Sequence, residues 1–129
     1  MTEKKIKILL VEDEAMTAFL LRRNLELLGY QVGKPLATGE AAIEAIQNED
    51  YDVVLMDIRL AGKMDGIQAA EQISMLNSTK IIFLTGYLDD EIMQRAQVCH
   101  PAAYLIKPVT PDDIQPVIAE LFPTNSPPY

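Results

Sequence analysis

Short apolar runs alternate with longer amphipathic stretches along the whole chain. The clearest runs cover residues 6–11, 52–56, 81–84 and 103–106, and each is bounded by polar residues. Continuous apolar runs of that length read as strands buried on both faces, the habit of parallel sheets. The pattern predicts strands over residues 5–11, 31–36, 52–57, 80–85 and 102–106. Helices are predicted over residues 15–28, 39–48 and 66–76, from Asp89 or Asp90 to just before Pro101, and between Thr110 and Leu121. Gly29 is a natural stop for the first helix. Pro35 lacks an N–H for a ladder, so the second strand belongs at a sheet edge. Right-handed crossovers between successive strands then give a doubly wound, five-stranded parallel sheet of flavodoxin-like order 2-1-3-4-5, with five helices.

Two local features leave alternatives open. Pro116 costs a helix-interior hydrogen bond if Thr110 caps the last helix, and little if Asp113 does. A tight or distorted opening turn is expected. In the first helix, Thr17, Leu20, Leu21, Leu25 and Leu28 make a core stripe, while Phe19 and Leu27 point away from its centre. The outward pair reads either as scattered exposed apolar residues or as a docking surface.

The polar residues that end the runs carry the candidate chemistry. Glu12 and Asp13 follow the first run, Asp57 the second, Thr85 the third and Lys107 the fourth. Ligands of open α/β sheets sit at the carboxyl ends of the strands. Three carboxylates gathered there repel one another unless a divalent cation lies between them, and hard oxygen ligands suit Mg²⁺. A lysine and a hydroxyl beside that cation suit phosphoryl oxygens. The arrangement supports phosphoryl transfer to an aspartate.

Composition narrows the classes. The chain has 129 residues, one domain's worth, and 49% of them are hydrophobic, enough for a core. Residues 1–122 form the expected domain, and the proline-rich stretch 123–129 reads as a tail or the start of a linker. The net charge of −8 argues against direct nucleic-acid binding. No run is long enough to span a bilayer. Cys99 is the single cysteine, so no internal disulfide is available and a reducing, cytoplasmic setting is expected. His100 is the single histidine and reads as a surface turn residue.

The same motifs, in order, resemble those of the receiver domain of two-component response regulators. They are Ile8-Leu-Leu-Val-Glu-Asp-Glu14, Asp52-Val-Val-Leu-Met-Asp57, Met64-Asp-Gly66, Ile81-Ile-Phe-Leu-Thr85 and Tyr104-Leu-Ile-Lys-Pro108. The likeness implies that Asp57 accepts a phosphoryl group from a sensor histidine kinase or a histidine phosphotransfer protein. It implies a metal site for Mg²⁺, or Mn²⁺, built from Glu12, Asp13, Asp57 and the backbone carbonyl of Arg59. Thr85 and Lys107 would contact the phosphoryl oxygens. Thr85 and Tyr104 would form a switch, Arg59 and Tyr87 would tune hydrolysis, and Lys107-Pro108 would be a cis peptide. The protein would be a signalling switch acting on an unidentified output partner or domain, not a metabolic enzyme. Two departures stand out. The loop after Asp57 is one residue longer than the common pattern and lacks its proline, and Cys99-His-Pro101 replaces the usual Gly-Ala pair.

Rival classes fit less well. A haloacid-dehalogenase-type phosphatase needs a second acid two residues after the nucleophile, where Arg59 stands here. The same Arg59 and the acidic balance argue against a nucleic-acid enzyme. A flavin carrier would need a phosphate-cradling loop where Glu12 and Asp13 lie.

Overall fold

The computed structural model describes residues 5–123. Its elements in order are β1 (Lys7–Val11), α1 (Ala15–Leu27), β2 (Gln31–Val32), α2 (Gly39–Asn48), β3 (Val53–Asp57), α3 (Gly66–Leu76), β4 (Lys80–Thr85), α4 (Asp90–Ala96), β5 (Ala103–Ile106) and α5 (Pro111–Leu121). The five strands form one sheet in the order β2-β1-β3-β4-β5, all parallel, as the alternation of elements predicts. Two apolar layers cover it. α2, α3 and the end of α4 pack on one face, through Ile46, Ile67 and Ile73. α1 and α5 pack on the other, through Leu21, Leu25, Ile114 and Ile118.

β2 is much shorter than the predicted 31–36. Pro35 cannot donate to the ladder, so regular pairing ends at Val32. The chain rejoins β1 beyond the proline, where Leu36 N donates to Leu10 O and Glu12 N donates to Leu36 O at 2.8 Å. That second bond orients the start of the acidic segment.

α1 corrects the predicted stripe. Ala18, Leu21 and Leu25 are the buried residues, whereas Leu20 and Leu28 are exposed along with Phe19 and Leu27. The helix meets the sheet over a narrower arc than its apolar content suggests, with Ala18, Leu21 and Leu25 in the core. At α5, Thr110 is the cap: its N–H donates to Asp113 Oδ2, and its carbonyl accepts from Asp113 N as well as Ile114 N. The three-residue bond to Asp113 is the tight opening turn that the sequence calls for, and Pro116 lies inside the helix. Residues 97–99 continue α4 as a 3₁₀ turn, and His100 ends it in the left-handed region at φ 49°. The tail predicted over 123–129 falls almost wholly outside the described residues.

Candidate functional site

The carboxyl ends of β1, β3, β4 and β5 line up at one rim of the sheet, since Val11 pairs with Met56, Asp57 with Leu84, and Thr85 with Ile106. Backbone register alone therefore gathers the residues that follow each run. Asp57 is the last residue of a strand buried along its whole length, and only 4% of its surface is exposed. Glu12 is equally buried at 4%. Asp13 is exposed beside them, and the three carboxylates offer oxygens within 4.8 Å of one another.

Lys107 reaches across from β5 and holds two of these acids together. Its Nζ lies 2.7 Å from Glu12 Oε1 and 2.7 Å from Asp57 Oδ2. Burial alone would lower the lysine pKa, but the hydrogen bonds to Asp57 and Glu12 and their charges outweigh it, so the pKa is raised and Nζ stays charged. Backbone amides take the remaining oxygens: Arg59 N donates to Asp57 Oδ1 at 3.1 Å, and Glu14 N donates to Glu12 Oε2 at 3.1 Å. Lys107-Pro108 is cis, as the motif implies.

The charges do not balance. Three carboxylates face one ammonium, which leaves an excess of two negative charges at the rim. That deficit and the all-oxygen donor set match a hard divalent cation. Arg59 contributes its amide to Asp57 while its side chain is exposed.

Thr85 is 1% exposed, and its hydroxyl is engaged by the Tyr87 backbone. Oγ1 donates to Tyr87 O at 2.9 Å and accepts from Tyr87 N at 3.2 Å. Tyr87 itself is exposed. Tyr104 is half-buried and stacks on Phe83, with ring centroids 6.0 Å apart. Cys99 is buried, and burial pushes its thiol up to about 11, which suits packing rather than reactivity.

Sequence reasoning gave Gly66 no role of its own. A Cβ there would lie 2.0 Å from the carbonyl oxygen of Asp57. The start of α3 is thus pressed against the backbone of the central aspartate, and Gly66 N donates to Ile58 O at 2.8 Å. The Asp-Gly pair at residues 65–66 was the available signal. Asp65 caps α3, with Oδ1 accepting from Gln68 N. The longer loop after Asp57 is accommodated by a bridge between Ala61 and Thr38, the cap of α2, with Gly62 at φ 97°.

With this geometry in hand, comparison with known proteins is decisive. The family model of the response regulator receiver domain matches residues 8–119. The chain belongs to the response regulator receiver family. It is 31% identical over 112 residues to the transcriptional regulatory protein PdtaR of Mycobacterium tuberculosis, covering 87% of this chain and 54% of that protein. It is 27% identical over 121 residues to sporulation initiation phosphotransferase F of Bacillus subtilis, covering 93% and 96%. Among solved structures, the signal receiver domain of a modulated diguanylate cyclase from Desulfovibrio desulfuricans G20 superposes with a TM-score of 0.86 at 35% identity, covering 94% and 96%. The receiver domain thus spans about half the length of PdtaR and nearly all of the phosphotransferase. As a member of this family it is a domain of two-component signalling. No helix among the described residues is long and apolar enough to cross a membrane.

Proposed function

We propose that Asp57 of this receiver domain accepts a phosphoryl group from a phosphohistidine of a sensor histidine kinase or histidine phosphotransfer protein. One observation carries the reading: a buried carboxylate at a strand end has one oxygen on Lys107 Nζ and two further carboxylates within 4.8 Å. In the transfer, an Asp57 oxygen forms the bond to phosphorus, the phosphorus–nitrogen bond breaks, and the imidazole leaves with its electron pair. Glu12, Asp13, Asp57 and the Arg59 carbonyl would hold Mg²⁺, with Mn²⁺ as a substitute. A bound divalent cation supplies neutralisation of the transferring group's charge. Lys107 already sits on Asp57 and follows the charge onto the new oxygens. Thr85 reaches them by giving up its two bonds to the Tyr87 backbone.

The domain then acts as a switch rather than a metabolic enzyme, taking up and hydrolysing its own acyl phosphate. To Arg59 and Tyr87, each two residues beyond a site residue and each exposed, we assign the screening of the phosphoryl group from water. We place the domain at residues 1–122, in the cytoplasm, with an output partner or domain of its own and no direct contact with nucleic acid. Intact-mass measurement after acetyl phosphate and Mg²⁺ tests the assignment. One phosphoryl group is expected on the parent protein and none on Asp57→Asn, and equal labelling of the variant would overturn it.

A further inference from the structure

The connection from β2 to α2 touches both halves of the acidic site. On one side, Glu12 N donates to Leu36 O at 2.8 Å and Leu36 N donates to Leu10 O at 2.9 Å, which ties residue 36 to the end of β1. Two residues on, Thr38 forms a bridge with Ala61, inside the loop that runs from Asp57 to α3. Residues 36–38 therefore span from the Glu12–Asp13 segment to the loop that contains Arg59. These two segments, with Asp57 at the start of the loop, supply all four residues of the proposed cation site.

The span is held at several points. Thr38 caps α2, with Oγ1 accepting from Ala41 N at 3.1 Å, so residue 38 is fixed to a helix. Gly39, the first residue of that helix, is pressed against α3 and the loop: a Cβ there would lie 2.8 Å from Ala69 Cβ and 3.2 Å from Met64 Sδ. Leu36, Leu60 and Met64 pack on the same apolar layer. Gly62 turns the loop at φ 97°, in the region that L side chains resist. A Cβ at Gly62 would meet Glu40 Oε1 and Thr38 Cγ2 at 3.5 and 3.7 Å, ordinary contacts, so the backbone angle rather than crowding calls for glycine.

Stiffness of this kind bears on the choice of ion. Mg²⁺ demands near-octahedral oxygens at about 2.0–2.1 Å, whereas Ca²⁺ accepts a looser array of about 6–8 oxygens at about 2.3–2.6 Å. We propose that residues 36–40 form a strap across the two halves of the site, with Thr38 and Gly62 as positioning residues that hold it to the size of Mg²⁺ and against Ca²⁺. The strap touches no cation. It limits how far the Glu12 and Arg59 backbones can move apart. The proposal deepens the reading of the cation site above and rests on it.

The test compares two glycines of like backbone angle in different places. Gly29 follows α1 at φ 101° with open space around it, and Gly62 lies in the loop at φ 97°. Valine is an outlier at either position, so Gly29→Val and Gly62→Val impose like strain. Amide shifts of the full ¹⁵N-labelled chain are followed as MgCl₂ or CaCl₂ is added. Gly62→Val is expected to bind Mg²⁺ about tenfold more weakly and Ca²⁺ less than about threefold more weakly, the loss that follows removal of a support behind metal ligands. Gly29→Val should keep both affinities of the parent. Unchanged affinities in Gly62→Val, equal losses for the two ions, or the same losses in Gly29→Val would overturn the proposal. If either variant fails to fold, the parent decides. Its Glu12, Leu36 and Ala61 amides should exchange with solvent more slowly once Mg²⁺ is bound, and exchange that Mg²⁺ leaves unchanged would overturn the strap. A parent that binds no Mg²⁺ would instead count against the cation site itself, so the two failures are distinguishable.

Discussion

β3 and β5 make opposite uses of the same sheet. β3 is buried at every position and is paired on both sides, by β1 and β4. β5 is an edge strand paired only with β4, partly buried from Ala103 to Leu105 and exposed at Ile106. The proposed phosphoacceptor Asp57 ends the first, and Lys107 follows the second. A fixed aspartate can attack phosphorus in one geometry, so it gains from dense packing on all sides. A residue that has to change its neighbours needs a strand whose rearrangement costs little. The burial of the two strands suits the proposed division, phosphoryl chemistry at the packed centre and response at the less buried edge.

The largest expected effect breaks that contrast directly. Leu55→Ala empties a fully buried site on β3 and should cost about 3 kcal/mol in urea unfolding, whereas Leu105→Ala on half-buried β5 should cost about 1 kcal/mol. Equal costs would mean that the edge strand is as tightly held as the centre.

Lys107→Ala tests a side chain that joins the two regions. Removing it leaves Glu12 and Asp57 buried without their shared cation, and stability without Mg²⁺ should fall by about 1–3 kcal/mol. Mg²⁺ should bind the variant more tightly than the parent, since an electrostatic competitor is gone. The pH dependence has a defined sign. Lys107 has a raised pKa in the fold, so its contribution is present below the ordinary lysine value and lost as pH climbs through the folded one. Denaturation curves of parent and variant should therefore converge in the alkaline range above the ordinary lysine value. A gap that stays constant there would show that Lys107 contributes only packing.

Tyr104→Ala sharpens the comparison on the edge side. The ring stacks on Phe83, whereas the Asp57 carboxylate bonds to Arg59 N and Lys107 Nζ. Labelling by acetyl phosphate should stay within about twofold of the parent, because nothing in the central site changes. Beryllofluoride-induced amide shifts over residues 87–106 should shrink, while those around Asp57 persist. Undiminished shifts along that stretch would remove Tyr104 from the output route.

The smallest effect concerns the rim. Truncating Arg59 and Tyr87 together to Ala uncovers the site without touching the strands, and the acyl phosphate should decay several-fold faster, worth about 1 kcal/mol of barrier. Unchanged decay would place both side chains away from the path of water.

Most of the architecture was legible because parallel strands write themselves as uninterrupted apolar runs, and β3 and β4 emerge within a residue of their predicted bounds. The flanks were harder. The prediction for β2 overshot, since Leu36 keeps a single bridge to Val11 across a proline that interrupts the ladder. α1 is rich enough in leucine for two stripes, and periodicity alone cannot choose between them; the fold buries the one through Ala18, Leu21 and Leu25. Pro116 is compatible with two caps in the sequence, and the bond from the Thr110 amide to Asp113 Oδ2 selects Thr110.

The sequence by itself determined the strand order, the rim of the sheet and the acids, hydroxyl and lysine brought to it, because each follows from where an apolar run stops. Tertiary structure decided what those groups do to one another. Only the fold reveals that Lys107 is shared between Glu12 and Asp57, and that Thr85 spends its hydroxyl on the Tyr87 backbone. It alone shows that Gly66 makes room for the carbonyl of Asp57. It also pairs Arg95 of α4 with Asp65 at the start of α3. These are distances between residues far apart in the chain, and a one-dimensional pattern of polar and apolar positions holds no measure of them.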